Sequence, residues 1–295
     1  MNALKTGRAG WMFVAPALIV LGLFFFLPVL AALLMSLTDF DLYALSDASN
    51  LRFVGLKNYG HLLTEPLFWK ALGNTVYFVV LGVPLSIGAS LGAALLVNSK
   101  VARLRNLFRT VFFAPVVTTL VAVAVVWRYI FHTRYGFLNY GLSVFDIGPI
   151  DWMGDPHWAM PAIVVLAVWK NFGYNMIILL AALQSIPEDL YEAARIDGAS
   201  PWQLFRHITV PGLAPVLTLV SILTMTGYFQ LFAEPYVMTE GGPLQSTLSV
   251  LYFMYEEGFK WWSLGRASAV AFLLFVLMFL ITLVQLRLTR SEARP

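Results

Sequence analysis

The sequence predicts an all-α membrane protein that crosses the bilayer six times. Three observations carry this. Of 295 residues, 59% are hydrophobic and 12% charged, against about half and about a quarter in a typical soluble domain, so more apolar surface exists than one compact core can bury. Apolar stretches of about 20 residues, enough to cross about 30 Å of hydrocarbon, recur along the whole chain. None alternates in the roughly ten-residue pattern of a membrane β-barrel strand. An ordinary soluble enzyme and a disordered chain are excluded. The absence of cysteine also excludes disulfides, zinc–thiolate sites and thiol catalysis.

The spans are expected at about residues 11–37, 71–97, 110–131, 160–183, 211–232 and 267–288. Lys5 and Arg8 give the first a signal-peptide flavour, but its apolar run is too long for an h-region and no convincing cleavage site follows, so it reads as a retained helix. The fourth holds a single charge, Lys170. The net charge of +3 is a matter of orientation rather than of nucleic acid. With the N-terminus inside, the inner segments hold eleven basic residues: Lys5, Arg8, Lys100, Arg103, Arg105, Arg109, Arg195, Arg206, Arg287, Arg290 and Arg294. The outer loops hold seven: Arg52, Lys57, Lys70, Arg128, Arg134, Lys260 and Arg266. Both termini are therefore expected to be cytoplasmic. Trp152, Trp158, Trp261 and Trp262 at outer interfaces and Trp11 at an inner one read as anchors. Pro84, Pro115, Pro161, Pro215, Gly173 and Gly227 interrupt spans, either as static kinks or as bends beside a pathway.

The loop at about 184–210 has helical punctuation of its own. Ser185 and Glu188 have capping-box spacing with Pro187 in the first turn, and Gly198 suits the left-handed position after a helix end. Ser200-Pro201-Trp202-Gln203 repeats the start signal, and the helix it opens is expected to stop before Pro211. The loop thus reads as helix, turn, helix outside the membrane. Ala193 and Ala194 give the first helix a face that another surface can approach closely, beside Glu192 and Asp197. A plain linker helix remains open on composition alone.

Polar side chains at membrane depth are costly and face a cavity or another helix. In the fourth span Asn171, Tyr174 and Asn175 are three and four residues apart and share a face. In the fifth, Thr224 and Tyr228 are four apart, with Gln230 further along. Amides, hydroxyls and aromatic rings suit a neutral sugar, although interhelical hydrogen bonding is an equal alternative for any one of them. Lys170 pairs with a carboxylate of a partner subunit, faces an anionic substrate, or lies nearer an aqueous cavity than its place in the span indicates.

Glu192-Ala193-Ala194, Gly198, Ile208 and Val210-Pro211, in that spacing, resemble the EAA loop of binding-protein-dependent ABC importer permeases, with valine where the family usually has leucine. Phe53-Val54-Gly55-Leu56-Lys57-Asn58-Tyr59, Leu183-Gln184-Ser185-Ile186-Pro187 and the segment Tyr236 to Pro243 resemble the carbohydrate-uptake branch. The last looks closer to the first permease subunit of maltose-type importers than to the second. The likeness covers nearly the whole chain. It implies a type I importer architecture, one transmembrane domain over 1–295, and a bacterial inner-membrane location. Glu192, Ala193, Ala194, Asp197, Gly198 and Ala199 would form a cytoplasmic coupling helix docked on an ATPase dimer.

The resemblance further implies a second permease as heterodimeric partner and a solute-binding protein delivering a di- or oligosaccharide. In maltose-type relatives the cavity is lined in part from the fourth and fifth spans, which favours Asn171, Tyr174, Thr224 and Tyr228, with Gln230 and Lys170 beside them, as substrate contacts. An anionic sugar derivative such as a sugar phosphate, glycerol phosphate or uronate is the alternative cargo. A stand-alone carrier is a weaker one, since coupling acids are absent from the spans. No G-x-x-x-x-G-K-[ST] loop, H-E-x-x-H or G-x-S-x-G occurs, so ATP and magnesium are expected on the separate ATPase. His61, His132, His157 and His207 fall in loops or at span ends, and no residue is assigned to metal or catalysis.

Overall fold

The computed structural model describes residues 3–99 and 104–292. Lys100, Arg103 and Arg294, used above to orient the chain, lie outside them, as do the side chains of Lys5, Arg8 and Arg290. Among the described residues there is no β-strand, only an isolated bridge between Thr38 and Phe53. Among the described residues five helices are long and apolar enough to cross a membrane: Trp11–Ser36, Pro66–Asn98, Pro156–Ser185, Pro201–Phe229 and Leu264–Arg287. Taken as one span, the pair Arg105–Val117 and Leu120–Ile130, which turns by 102° at its break, makes a sixth candidate.

That break is the first departure from expectation, because the third span was read as one run. Pro115 sits in the last turn of the first half, and Thr118 and Thr119 behind it are extended. The second departure lies at Pro211. The helix opened by Ser200 does not stop there but runs on as the fifth span. A π-turn over Phe205–Thr209 re-registers the backbone just before Pro211, which then sits in the first turn of the α-helical stretch that follows, where its missing N–H costs little. The third concerns Ser185. It ends the fourth span, donating to the Ala182 carbonyl at 2.8 Å, and makes no capping box with Glu188. The Ser200–Gln203 box does form, and Gly198 has φ +81°.

The chain falls into two compact units, Met1–Pro66 with Phe253–Val276, and Leu67–Tyr252 with Leu277–Pro295. In the first, the Trp11–Ser36 span keeps large apolar side chains such as Phe13, Phe24 and Leu34 exposed. Its C-terminal end is stapled by the Phe53–Tyr59 segment. Asn58 donates to the Ser36 and Thr38 carbonyls at 2.9 and 2.8 Å, and the Tyr59 and Ser36 hydroxyls meet at 2.7 Å. Gly55, at φ +58°, lets the chain turn so that its N–H and that of Val54 reach the Leu37 carbonyl. Arg266 binds Glu65 and lies 3.4 Å from buried Glu257. Burial pushes the Glu257 carboxyl up, with Arg266 pulling the other way.

The second unit packs three spans around Ala93, Ala94, Val97, Met176, Leu179, Leu213 and Val220. Lipid tails are as apolar as leucine, so such helices associate through close approach and interhelical hydrogen bonds. Ser90 of the second span donates to the Phe172 carbonyl of the fourth at 2.9 Å. The fourth span is one continuous helix through Gly173. A Cβ there would collide with the Phe112 carbonyl, so glycine lets the broken third span pack directly on the fourth. Trp152 is likewise more than an anchor: its indole N–H donates to Asn139 at 2.9 Å.

Candidate functional site

The break in the third span, the middle of the fourth and the end of the fifth enclose a cavity of about 540 Å³ within the second unit. That lies within the roughly 300–1,000 Å³ typical of small-molecule sites. The fourth span contributes Asn171, Tyr174 and Asn175, the fifth Thr224 and Tyr228, with Gln230 at its end. Phe78 of the second span and Val116 and Leu120, on either side of the break, close the wall. Phe232 and Glu234 enter from the segment that follows the fifth span.

Some polar groups here are already engaged and others are not. Asn175 donates to the Thr224 hydroxyl at 2.8 Å, a buried bond between the fourth and fifth spans. Asn171 donates to Ala167 in its own helix at 3.0 Å, and Tyr174 is half exposed. Tyr228 is buried, its ring 5.0 Å from that of Phe78 and pressed towards Gly82, where a Cβ would approach the ring to 2.7 Å. Glycine at that position makes room for the aromatic ring. The Tyr228 hydroxyl and the nearby buried Ser86 hydroxyl make no well-formed hydrogen bond among the described residues. A buried polar group left this way costs about 1–3 kcal/mol, a cost that a ligand hydroxyl can remove.

Five of the six residues expected at the substrate, Asn171, Tyr174, Thr224, Tyr228 and Gln230, line the cavity together. Lys170 does not. Its ammonium donates to the backbone carbonyls of Pro115 at 3.0 Å and Thr118 at 2.9 Å. The reasoning from sequence missed Phe78, Val116, Leu120, Phe232 and Glu234. Glu234 is the one charged residue on the cavity wall among the described residues. It sits in the short helix Ala233–Met238 beyond the fifth span. Burial pushes its carboxyl up, opposed by its own backbone N–H and by Lys170. A lone acid just past a span end was the available signal for it; Phe78 sits in an unbroken apolar run and gave none.

The second site lies on the Glu188–Ile196 helix. Glu192, Ala193, Asp197 and Gly198 are exposed, and Ala194 and Ala199 half-buried. Beside them the apolar side chains of Leu190, Ile196 and Trp202 are exposed, Ile196 at 85%. The helix is tied back by Tyr191, whose hydroxyl meets that of Thr209 at 3.0 Å. Among the described residues no group of His, Asp or Glu is arranged to hold a metal ion.

A many-span helical protein with a polar cavity beside a broken span, and a small-residue helix projecting between the fourth and fifth spans, has the build of a membrane transport subunit. The chain belongs to the family of binding-protein-dependent transport system inner membrane components, whose pattern matches residues 82–294. It is 37% identical over 287 residues to the lactose transport system permease protein LacF of Rhizobium radiobacter, covering 96% of this chain and 94% of that one. It is 35% identical over 286 residues to the trehalose/maltose transport system permease protein MalF of Thermococcus litoralis, covering 97% and 95%. In fold it resembles a chain of the bacterial alginate ABC transporter solved with its alginate pentasaccharide-bound periplasmic protein, at a TM-score of 0.82 and 20% identity over 100% of this chain and 99% of that one. The chain is thus a multi-pass inner-membrane permease subunit with an importer-type fold.

Proposed function

We propose that this permease passes a neutral di- or oligosaccharide through the cavity beside the third-span break. The observation that carries the reading is the make-up of the wall. The rings of Tyr174, Tyr228 and Phe232 can cover the C–H faces of a sugar, and the amides of Asn171 and Gln230 can bond its hydroxyls. The Tyr228 hydroxyl, which makes no well-formed hydrogen bond among the described residues, can accept such a partner. The relatives named for lactose and for trehalose and maltose support a saccharide cargo. An acidic sugar is not favoured, because Lys170 is bonded to backbone carbonyls and the charge on the wall is that of Glu234.

On this reading the Glu188–Ile196 helix docks on a separate ATPase dimer that holds ATP and magnesium. Glu192 makes the polar contact, Ala193 and Ala194 form the close-packed face, Gly198 supplies the turn, and Asp197 and Ala199 flank it. A solute-binding protein delivers cargo at the outer face, a second permease completes the pathway, and both termini are cytoplasmic. ATP binding and release then bias two access states of the cavity.

The test is gentle isolation of the chain from its native membrane, mass identification of what accompanies it, and uptake by the recovered assembly in liposomes. The expected result is an ATPase, a second six-span chain and saturable, ATP-dependent saccharide uptake. Recovery of the chain alone, yet competent for uptake, overturns the reading in favour of a secondary carrier.

A further inference from the structure

The third-span break places unpaired backbone in the apolar layer, where such groups need partners from protein or a wet cavity. Three donors converge on the Pro115 carbonyl. They are the Thr118 N–H at 3.3 Å, the Thr118 hydroxyl at 2.6 Å and the Lys170 ammonium at 3.0 Å. Lys170 also holds the Thr118 carbonyl at 2.9 Å, so one side chain of the fourth span bridges both ends of the turn. A cation is well placed there, since the carbonyl end of a helix carries partial negative charge.

Two residues border this turn and line the cavity, Val116 and Leu120. From the far side comes Glu234, on a helix packed against Leu120–Ile130 and electrostatically coupled to Lys170. The next residue along the fourth span, Asn171, and Tyr174 one turn further on are themselves on the cavity wall. The helix that lines the cavity therefore also grips its opposite wall.

We infer that Lys170 is a positioning residue: by gripping the Pro115 and Thr118 carbonyls it fixes the angle of the third-span break and so sets the spacing of the Val116–Leu120 wall against the polar face of the fourth span. This assigns the lone ionised residue of the fourth span to the shape of the cavity, not to substrate charge. The effect on transport rests on the saccharide reading above; the effect on the break does not.

The experiment uses the full transporter with its partners in liposomes. Because the chain has no cysteine, Leu120→Cys gives this chain a single thiol, on the cavity wall, whose labelling is read on this chain after separation from its partners. In that background K170M removes both bonds, K170Q keeps one donor group, and K170R keeps the charge and a fork able to reach two carbonyls. The expected result is a several-fold faster reaction of the introduced thiol with a maleimide in K170M, an intermediate rate in K170Q and near-parental behaviour in K170R. Saccharide KM should rise about tenfold in K170M, the scale of one lost charge-assisted bond, with maximal rate little changed. Equal labelling of K170M, K170Q and the parent overturns the grip. Faster labelling with an unchanged KM overturns its role in setting the cavity. If K170M does not assemble, the K170Q and K170R pair decides on the same two readouts. If no variant, parent included, takes up a neutral saccharide, the cargo reading fails while the labelling still decides the grip.

Discussion

The cavity and the Glu188–Ile196 helix both gather small and polar side chains, but in opposite surroundings. In and beside the cavity, groups from five segments of one chain converge, and some are already satisfied: Asn175 on its wall by Thr224, and Lys170 next to it by Pro115 and Thr118. On the helix, none of nine consecutive residues is buried, and the hydroxyl of Tyr191 ties it back to the chain through Thr209. The difference teaches that the two regions fail differently. Damage to the exposed helix should leave the fold intact, whereas damage to the cavity should spread through packing.

The largest effect is expected on the helix. Glu192→Arg, or tryptophan at Ala193 and Ala194, should cost about 2 kcal/mol or more at the docking surface, as central interface residues do. Uptake should then fall by more than about tenfold, while thermal unfolding of the isolated chain in detergent stays put. Parental uptake in these variants, measured in reconstituted assemblies, breaks the comparison. Next comes Gly173→Ala, which pushes a methyl group into the Phe112 backbone. Overpacking of this kind costs about 1–3 kcal/mol, so the unfolding midpoint should drop and uptake with it.

Tyr228→Phe sharpens the contrast within the cavity. It deletes a hydroxyl that makes no well-formed hydrogen bond among the described residues, so stability should hold or rise slightly. Saccharide KM should nevertheless rise by about five- to tenfold, the worth of about one hydrogen bond. A fall in stability with KM unchanged makes the hydroxyl structural. The smallest effect is expected of Asn175→Ala, which breaks one bond between spans, worth about 0.6 kcal/mol on average in membrane proteins. Its mark is a small shift in unfolding midpoint, measured against Thr224→Val and the double variant.

The contrast also explains what could be read from the sequence. The Glu188–Ile196 helix was legible because its evidence is contiguous: alanines, acids, a glycine at φ +81° and a capping box at Ser200 all lie within a few turns. The spans were legible because hydrophobicity is a sum over about 20 residues. The shared face of Asn171, Tyr174 and Asn175 followed from helical spacing within one span. What stayed hidden depends on contacts distant in sequence. Lys170 finds its partners 55 and 52 residues away, and nothing near it in sequence announces them. Gly173 looked like a kink because its reason for being glycine is a carbonyl on another helix. At Pro211 a local rule, that proline opens a new helix, gave way to a π-turn that carries one helix straight through.

The most direct test of the account is uptake by the purified assembly in liposomes, with neutral di- and oligosaccharides set against uronates and sugar phosphates as competitors. The account predicts saturable uptake that needs ATP and the binding protein, is competed by neutral saccharides and is left alone by the acidic ones. Uptake by the chain without an ATPase, or competition by the acidic sugars alone, would contradict it.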